Sequence, residues 1–353
     1  MQRILAEALK RGKAERKKEA LGYIRFRERF KKIERGTVIV GKRIIWGFPH
    51  IKRIFALGKG LPQNLDAAMI YAEEKIDGFN VRIAWIDGEV FAFSRGGFLD
   101  SFVTEKARDA GLERYFRKHP EHVLCAEMIG NTPYTRPSKE FDTRLFVFDI
   151  DEGDGTYLPP GERYRLLDEF GIESAPRLGK FIGDDIKGIS MLAVSLNKSR
   201  KEGMVLKSDD REKVVKYVTP WSDLEDIADA SDLFFDMPIG FYYQRILRSA
   251  FFISEFGLDR EEYSKKLGKA FYDGLMSAIS RAREREEIAD EFEIVIRERG
   301  IWDDIRRHMG KEVKVEELWR REEGKSVRIR FRKIYRKTSS KLMSYAAGKG
   351  VTD

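Results

Sequence analysis

The chain of 353 residues is 36% charged and 42% apolar, and it carries a net charge of +8. Its length predicts two to four domains, and the lack of any apolar run near 18 residues excludes a membrane-spanning helix and predicts no membrane partner. The single cysteine, Cys125, excludes an internal disulfide, and with no apolar leader we expect a cytoplasmic protein. The basic balance favours a phosphate-bearing partner.

Residues 1–58 predict a basic N-terminal module. Residues 1–35 have the pattern of a helix and a turn, and this helix is either a solvated face or a binding surface. Apolar runs at residues 37–40 and 43–46 alternate with Gly and Pro, which predicts short strands. A Gly- and Pro-containing stretch at residues 58–62 indicates the boundary to the next domain.

Residues 59–226 predict an α+β domain, because strands and helices are interspersed along them. Asp87-Gly88 lies between two of the strands and is typical of a tight hairpin turn. The predicted strands cover residues 69–74, 81–86, 90–94, 123–129, 145–150, 204–207 and 213–218. The predicted helices cover residues 100–118, 161–170 and 184–197.

Residues 227–299 have a helical pattern, and residues 300–353 predict a small C-terminal domain. Asp259 is the predicted N-cap of a helix in which apolar residues recur at every fourth position. These residues are Tyr263, Leu267, Phe271, Leu275 and Ile279. A second helix is predicted over residues 288–299 from the helical spacing of Ile288, Phe292, Val295 and Arg299.

A candidate nucleophile lies between two predicted strands, in the sequence Glu74-Lys75-Ile76-Asp77-Gly78-Phe79-Asn80. Lysine attacks phosphorus only when its amine is unprotonated, so nearby cations or a metal must lower its pKa. Asp77 can take the proton or orient the amine, and Gly78 lets the backbone approach a ligand. Lys-x-Asp-Gly arises by chance in roughly one chain in ten. On this motif alone, a turn with solvated charges is the favoured interpretation.

Five further elements place polar or aromatic groups within or beside apolar strands. Ser94-Arg95-Gly96-Gly97 follows one strand, Glu202 and Lys207 lie at the two ends of another, and Glu127, Phe148 and Lys216 lie within three more. A charge in an apolar strand is costly unless a partner or a site compensates it. The pattern therefore predicts that these side chains are gathered in one site.

The six elements, in this order and at these spacings, resemble those of the covalent nucleotidyltransferases, which comprise DNA ligases, RNA ligases and mRNA capping enzymes. The sequence is most similar to archaeal ATP-dependent RNA ligases that act as homodimers. The resemblance runs nearly end to end and includes residues 47–55 and 216–220. It implies a nucleotidyltransferase (adenylation) domain of antiparallel sheets with flanking helices at residues 59–226. The helical domain at residues 227–299 would serve dimerisation.

The resemblance also implies roles for the residues that contact the nucleotide. Lys75 would form the covalent lysyl-AMP intermediate, and Glu74 would contact the adenine edge. Arg95 would bind the ribose and phosphate region, Glu127 would bind the ribose, and Phe148 would stack on adenine.

The remaining matches concern the phosphates, the metal and the sealing step. Glu202 would hold Mg²⁺, Lys207 and Lys216 would bind the α-phosphate, and Asn80 would act in sealing. Several relatives carry a second lysine two residues after the one matched by Lys216, but this chain has Val218 there. We expect Lys207 to supply the missing charge, and we expect the cations to favour the unprotonated form of Lys75.

The reaction implied by the resemblance joins a 5′-phosphate and a 3′-hydroxyl of single-stranded RNA within one molecule, at the expense of ATP. One alternative is a DNA ligase or a capping enzyme, although these usually have an OB-fold where this chain has helices. The other alternative is a non-catalytic RNA-binding protein, which would not need every matching position to be filled.

Two further features lie outside the six elements. Arg328, Arg330 and Arg332 alternate with apolar residues, which predicts a strand with an arginine row on one face, and we expect this row to bind RNA with Phe331 and Tyr335 available for stacking. His119 and His122 lie three residues apart without a further ligand cluster, so no zinc site is predicted.

Overall fold

The computed structural model describes residues 1–19, 21–135, 141–310 and 313–350. At the N-terminus, helix α1 (Gln2–Lys10) precedes an antiparallel sheet of four strands. The strands are β1 (Ala14–Lys18), β2 (Gly22–Phe26), β3 (Val38–Val40) and β4 (Arg43–Ile45). The strands predicted at residues 37–40 and 43–46 are confirmed.

The prediction of helix and turn throughout residues 1–35 is wrong, because β1 and β2 form a hairpin. Charged residues occupy most of β1, so its sequence carries little apolar periodicity that could distinguish a strand from a helix. The strand is stabilised instead by contacts across the hairpin, such as the 2.6 Å ion pair between Arg25 of β2 and Glu15 of β1. Tyr23, Val38 and Ile45 pack against the central region of the chain.

Two sheets form that central region, which confirms the α+β prediction. Its strands are β5 (Lys52–Arg53), β6 (Met69–Lys75), β7 (Phe79–Ile86), β8 (Glu89–Ser94), β9 (Val123–Gly130), β10 (Thr143–Asp151), β11 (Arg177–Ile182), β12 (Gly203–Ser208) and β13 (Val214–Val218). Its helices are α2 (Leu57–Asn64), α3 (Ser101–Asp109), α4 (Glu113–Lys118), α5 (Pro160–Phe170) and α6 (Ile186–Lys198). The helix predicted at residues 100–118 is divided at Gly111, where φ is +68°.

One sheet has the strand order β10-β9-β7-β8 and the other has the order β11-β6-β12-β13-β5. All pairs are antiparallel except β13 with β5. In the second sheet, alternate side chains pack against α2 and α6 in an apolar core. These side chains include Ile70, Ala72, Met204, Leu206 and Val215. The intervening positions, which include Glu73, Lys75, Lys207 and Lys216, therefore face the other way.

After β13 the chain forms α7 (Pro220–Ala230), α8 (Ile239–Phe256) and α9 (Arg260–Arg283). Asp259 caps α9 as predicted, because its side chain accepts hydrogen bonds from the amides of Glu261 and Glu262. Leu267 and Phe271 of the predicted apolar stripe are half-buried against the neighbouring helices. None of the described helices has the length and apolar character needed to cross a membrane.

The C-terminal elements are β14 (Ala289–Ile296), α10 (Gly300–Met309), β15 (Lys314–Glu323), β16 (Ser326–Ile334) and α11 (Arg336–Ala346). The three strands form an antiparallel sheet in the order β14-β16-β15. The helix predicted through residues 288–299 is therefore wrong. Phe292, Ile294 and Ile296 alternate on the buried face of β14, and β16 supplies a matching apolar face across the pair. The four predicted domains and their three boundaries stay a prediction.

Candidate active site

Lys75 lies at the end of β6, and its Nζ is 2.6 Å from Oε1 of Glu202. Glu202 directly precedes β12, whose first residue, Gly203, is the register partner of Lys75. Gly203 has φ +153°, and a Cβ there would lie 2.1 Å from the carbonyl oxygen of Tyr217. A glycine is therefore required where the chain brings Glu202 beside Lys75.

The ion pair sets the protonation of the candidate nucleophile. Burial alone would lower the pKa of Lys75, but the carboxylates of Glu202, Glu127 and Asp77 outweigh burial and raise that pKa above its usual value. The expectation that cations hold the amine unprotonated is therefore corrected for this structure. The group that contacts the amine is a carboxylate, which favours the ammonium form.

Two buried carboxyls lie in the same region. Burial raises the pKa of Glu127 and of Glu202 to about 7 each, and in both cases Lys75 opposes this rise. Asn80 of β7 is the register partner of Glu127, and its side chain forms a hydrogen bond that lowers the pKa of that carboxyl. Oδ1 of Asn80 is buried without a hydrogen-bond partner, so a ligand hydroxyl would satisfy it.

Glu202 also has the chemistry of a metal ligand. Its Oε2 is buried and has no hydrogen-bond partner, while Oε1 contacts Lys75. Magnesium and similar hard cations take carboxylate oxygens as ligands. The predicted assignment of Glu202 to a divalent metal fits this unpartnered oxygen.

Two further cations, Arg95 and Lys216, line the pocket with the candidate nucleophile. Lys216 of β13 has a pKa lowered to about 8 by burial and by the neighbouring charges of Arg53, Lys75 and Arg95. Arg95 follows β8, and its guanidinium lies 3.3 Å from Nδ1 of His50. Arg95 and Lys216 thus bring positive charge to the lining of the pocket.

The loop that carries Arg95 packs tightly against the N-terminal module. Gly97 has φ +78°, and a Cβ there would lie 2.6 Å from the carbonyl oxygen of Gly36. Gly36 has φ +84°, and its Cβ would lie 2.1 Å from the carbonyl oxygen of Arg95. The two backbones approach so closely that neither position accommodates a larger residue.

Phe148 lies at a bulge in β10, where the register with β9 shifts between Val147 and Asp149. Its ring contacts that of Phe48 edge-to-face, with 5.2 Å between the ring centroids. Its carbonyl oxygen accepts hydrogen bonds from Nζ of Lys207 at 2.5 Å and from the guanidinium of Arg163. The bulge therefore directs the half-buried ring of Phe148 into the pocket, while Lys207 and Arg163 fix the position of the Phe148 carbonyl.

Lys207 belongs to a buried network of charges. Its Nζ lies 2.8 Å from Oε2 of Glu73 and 3.1 Å from Oδ1 of Asp149. Arg163 contacts both carboxylates, and Arg211 contacts Asp149 at 2.6 Å. Burial would raise the pKa of Asp149, but Lys207, Arg211 and Arg163 together hold it well below its usual range.

Lys207 contacts this network in the structure, so its α-phosphate contact stays a prediction that the network does not support. The amine is fully committed to two carboxylates and one carbonyl, and its side chain is only 1% exposed. Sequence analysis did not select Glu73 or Asp149. The sequence does contain an indication of both carboxylates, because each lies within an apolar strand. Glu73 is adjacent to Glu74, and Asp149 is adjacent to Phe148.

The structure brings together all eight residues predicted to hold the nucleotide. One pocket between the two central sheets is lined by Glu74, Lys75, Asn80, Arg95, Glu127, Phe148, Lys207 and Lys216. Glu202 reaches this pocket through its contact with Lys75. Asp77 is exposed and does not line it, so the carboxylate nearest the amine is that of Glu202.

The predicted arginine row lies on β16, but glutamates of the neighbouring strands neutralise it. Arg328 pairs with Glu293 and Glu323, and Arg330 pairs with Glu291 at 2.6 Å. Arg332 pairs with Glu316 at 2.7 Å. The expected unopposed positive face is therefore absent from the described part of this sheet. RNA binding by the row stays a prediction that these pairs do not support.

The aromatic residues expected beside the row are also occupied. Phe331 is fully buried against Phe292 and Trp302, so it is not available for stacking on a base. The hydroxyl of Tyr335 donates to Asp290. Both side chains belong to the packing of the C-terminal region.

The histidine pair has a third possible ligand, Glu121, which sequence analysis did not consider. Ligand atoms of His119, Glu121 and His122 lie within 4.8 Å of one another. The two imidazoles are stacked with an angle of 13° between their planes. The nitrogen lone pairs of two nearly parallel rings lie in parallel planes and do not converge on one point. A tetrahedral zinc ion requires lone pairs that do converge.

We expect the substitution Lys207→Met to destabilise the fold, because it removes the buried cation that Glu73 and Asp149 share and leaves their two negative charges to Arg163 and Arg211. The loss in the free energy of unfolding should be about 3–5 kcal/mol in urea denaturation. Lys213 is exposed and directly precedes β13. The control substitution Lys213→Met should change the free energy of unfolding by no more than about 0.5 kcal/mol. An unchanged stability of Lys207→Met would show that the amine does not hold this network together.

Two family models match the chain. The model described as RNA ligase matches residues 69–218, which include most of the pocket. The model described as the ligase Pab1020 C-terminal region matches residues 229–349. The two matches therefore cover both the central region and the elements that follow it.

Similar proteins extend over nearly the whole chain. A protein of Methanocaldococcus jannaschii described as uncharacterised is 31% identical over 345 residues, covering 92% of this chain and 87% of that protein. A solved structure from Aquifex aeolicus, provisionally described as an ATP-dependent DNA ligase, has a TM-score of 0.94 and 32% identity and covers all of both chains. An archaeal ATP-dependent RNA ligase has a TM-score of 0.90 and 28% identity over 98% of this chain and 96% of its own. With these relatives along its length, the chain belongs to the RNA ligase family and is an ATP-dependent RNA ligase.

Proposed function

We propose that the protein joins 5′-phosphate and 3′-hydroxyl ends of RNA through a lysyl-AMP intermediate on Lys75. The observation that carries this proposal is the gathering of eight residues from six separate sequence elements around one pocket. Their chemistry matches the parts of ATP, with an aromatic ring for the base, carboxyl and amide groups for the ribose, and cations for the phosphates.

In the first step, the Lys75 amine attacks the α-phosphorus of ATP. A P–N bond forms, and the bond to the pyrophosphate oxygen breaks. The amine must first lose a proton, and the carboxylate of Glu202 at 2.6 Å is the group placed to accept it. Lys216 and Arg95 stabilise the charge that develops on the phosphate oxygens.

We assign Glu202 as the residue that would hold Mg²⁺, on the basis of its unpartnered buried oxygen. A divalent cation supplies charge neutralisation for the departing pyrophosphate. The same carboxylate is the main cause of the raised pKa of Lys75, so its engagement by a cation would favour the reactive amine.

In the later steps, AMP passes from Lys75 to the RNA 5′-phosphate, and the RNA 3′-hydroxyl then attacks that activated phosphate and releases AMP. Asn80 beside Glu127 is the proposed sealing residue. We propose single-stranded RNA as the substrate and intramolecular joining as the outcome, which yields circles. DNA with the same ends is the matched comparison, because one similar structure is described as a DNA ligase.

An exposed apolar stripe on α8 supports a homodimer. Ile239, Tyr243, Leu247 and Phe251 recur at every fourth position, and the first two are 88% and 70% exposed. Tyr272 and Met276 of α9 are exposed as well. Apolar patches of this kind indicate protein contacts, and we propose that a second copy of the chain covers this one.

The first prediction concerns the covalent intermediate. ATP labelled at the α-phosphate should add one AMP to the intact protein, and peptide mass spectrometry should place it on Lys75. Lys75→Ala should abolish the adduct. Lys75→Arg should also abolish it, although it retains a positive charge beside Glu202, because a guanidinium is not deprotonated in proteins. An adduct that persists in Lys75→Arg would contradict the proposal.

The second prediction concerns the proton on Lys75. In metal-free buffer, its reactivity toward an acylating reagent should begin at a lower pH in Glu202→Gln than in the intact protein, because the substitution removes the carboxylate that raises the pKa. Mass spectrometry of the Lys75 peptide measures this midpoint. Adding Mg²⁺ to the intact protein should shift the midpoint in the same direction. Identical midpoints in all three samples would contradict both the ion pair and the metal assignment.

The third prediction concerns the dimer. The intact protein should have the mass of two chains in light scattering, and Tyr243→Glu combined with Leu247→Glu should give one chain with an unchanged melting temperature. Lys265→Glu, at an exposed polar position of α9, is the matched control and should remain dimeric. A monomeric intact protein at every concentration would exclude the dimer.

A further inference from the structure

Arg53 is a cation beside the pocket that sequence analysis did not select. It lies on β5, which pairs with β13 so that Arg53 is the register partner of Lys216. The amide of Ile54 donates to the carbonyl of Lys216 at 3.1 Å, which fixes this register. Register partners point to the same face of a sheet. Ile51, two residues earlier, lines the pocket, so Arg53 lies on the pocket face.

The guanidinium of Arg53 has no counterion within the described residues. Its Nε is buried and has no hydrogen-bond partner. The nearby carboxylate of Asp223 contacts Arg248 and Ser249, and Glu202 directs Oε1 to Lys75 and forms no ion pair with Arg53. A half-buried cation without a partner is costly unless a ligand compensates it.

Arg53 and Lys216 are therefore adjacent cations, and within the described residues neither of them forms an ion pair with a carboxylate. Arg53 is the neighbouring charge that most strongly lowers the pKa of Lys216, after burial. Mutual repulsion of this kind disfavours the free protein and favours the binding of an anion that contacts both groups. Since Lys216 lines the pocket, the anion has access to the pair.

We propose that Arg53 and Lys216 together bind a phosphate group of the ligand, with Arg53 as the member that sequence analysis missed. This inference rests on the proposed function. Val218 lies two residues after Lys216 on the same face of β13, and it is the position at which sequence comparison led us to expect a second lysine. Arg53 supplies a cation from the adjacent strand, and its guanidinium can form two parallel hydrogen bonds to phosphate.

The phosphate can belong to ATP or to the RNA 5′ end, and two assays separate these sources. Adduct formation with ATP tests the first step, whereas sealing of chemically pre-adenylylated RNA requires no ATP. Arg53→Gln should lower kcat/KM by about 10- to 100-fold in the step whose phosphate it binds. A loss in adduct formation alone identifies the ATP phosphates, and a loss in sealing identifies the RNA phosphate. Unchanged kinetics in both assays would overturn the proposal.

Three variants separate a phosphate contact from a structural role. Lys52→Gln alters the neighbouring exposed residue of the same strand and should leave both steps unchanged. Arg53→Lys retains the charge and should lose less activity than Arg53→Gln. Adding Val218→Lys to Arg53→Gln places a cation back on the same face and should recover part of the loss. Failure of Val218→Lys to recover any activity, together with an equal loss in Arg53→Lys and a lowered melting temperature, would make Arg53 structural and overturn the proposal.

The outcome also distinguishes this inference from the proposed function. If the intact protein forms the adduct and Arg53→Gln forms it equally well and seals equally well, only the role of Arg53 is wrong. If the intact protein forms no adduct, the proposed function is wrong. Calorimetry with pyrophosphate then tests Arg53 alone, since Arg53→Gln should weaken binding about 10-fold or more and an unchanged affinity would overturn its role.

Discussion

Where the two central sheets face the pocket, charges rather than apolar side chains join them. Lys207 of β12 contacts Glu73 of β6 within its own sheet and Asp149 of β10 in the other sheet. Arg163 of α5 bridges the same two carboxylates. The position of one sheet relative to the other, and therefore the width of the nucleotide pocket, depends on this buried network.

A buried network of this kind stabilises a protein only when every member has partners, because each unpaired charge would cost several kcal/mol. Each charge here has at least one opposite charge, and the carbonyl of Phe148 receives two of the remaining donors. The aromatic ring proposed for the base is thereby tied to the interaction that holds the sheets together. We therefore expect loss of the network to disturb the position of this ring even when Phe148 itself is unchanged.

The local sequence predicted those site residues that can be recognised from the pattern of a single strand. Glu127 and Lys216 were predicted to be site residues because a charge in an apolar strand is costly unless a partner or a site compensates it. Both line the pocket. The partners of Lys207 could not be predicted in this way, since Glu73 lies 134 residues earlier in the chain and the contact depends on how three strands are arranged. Arg53 was missed for the same reason, because its neighbour Lys216 is defined only by the register of β5 with β13.

The errors in secondary structure have a related cause. Residues 288–299 fit a helical spacing and an alternating one, and local pattern cannot decide between the two. The strand forms because β16 offers Val327, Ile329 and Phe331 to pair with it, which is a contact between distant segments. In β1 the charged residues left no apolar pattern to interpret, and the hairpin is defined by pairs across it, such as Glu15 with Arg25.

The close contact between Gly36 and the loop of Arg95 has a consequence for how the protein opens. Each backbone occupies the space that a side chain of the other would need, so the two segments cannot separate without breaking the packing of both. We expect the N-terminal sheet and the Arg95 loop to form one cooperative unit whose amides exchange with solvent together. The N-terminal module would then govern how often the phosphate side of the pocket becomes accessible, although none of its four strands carries a residue that lines the pocket.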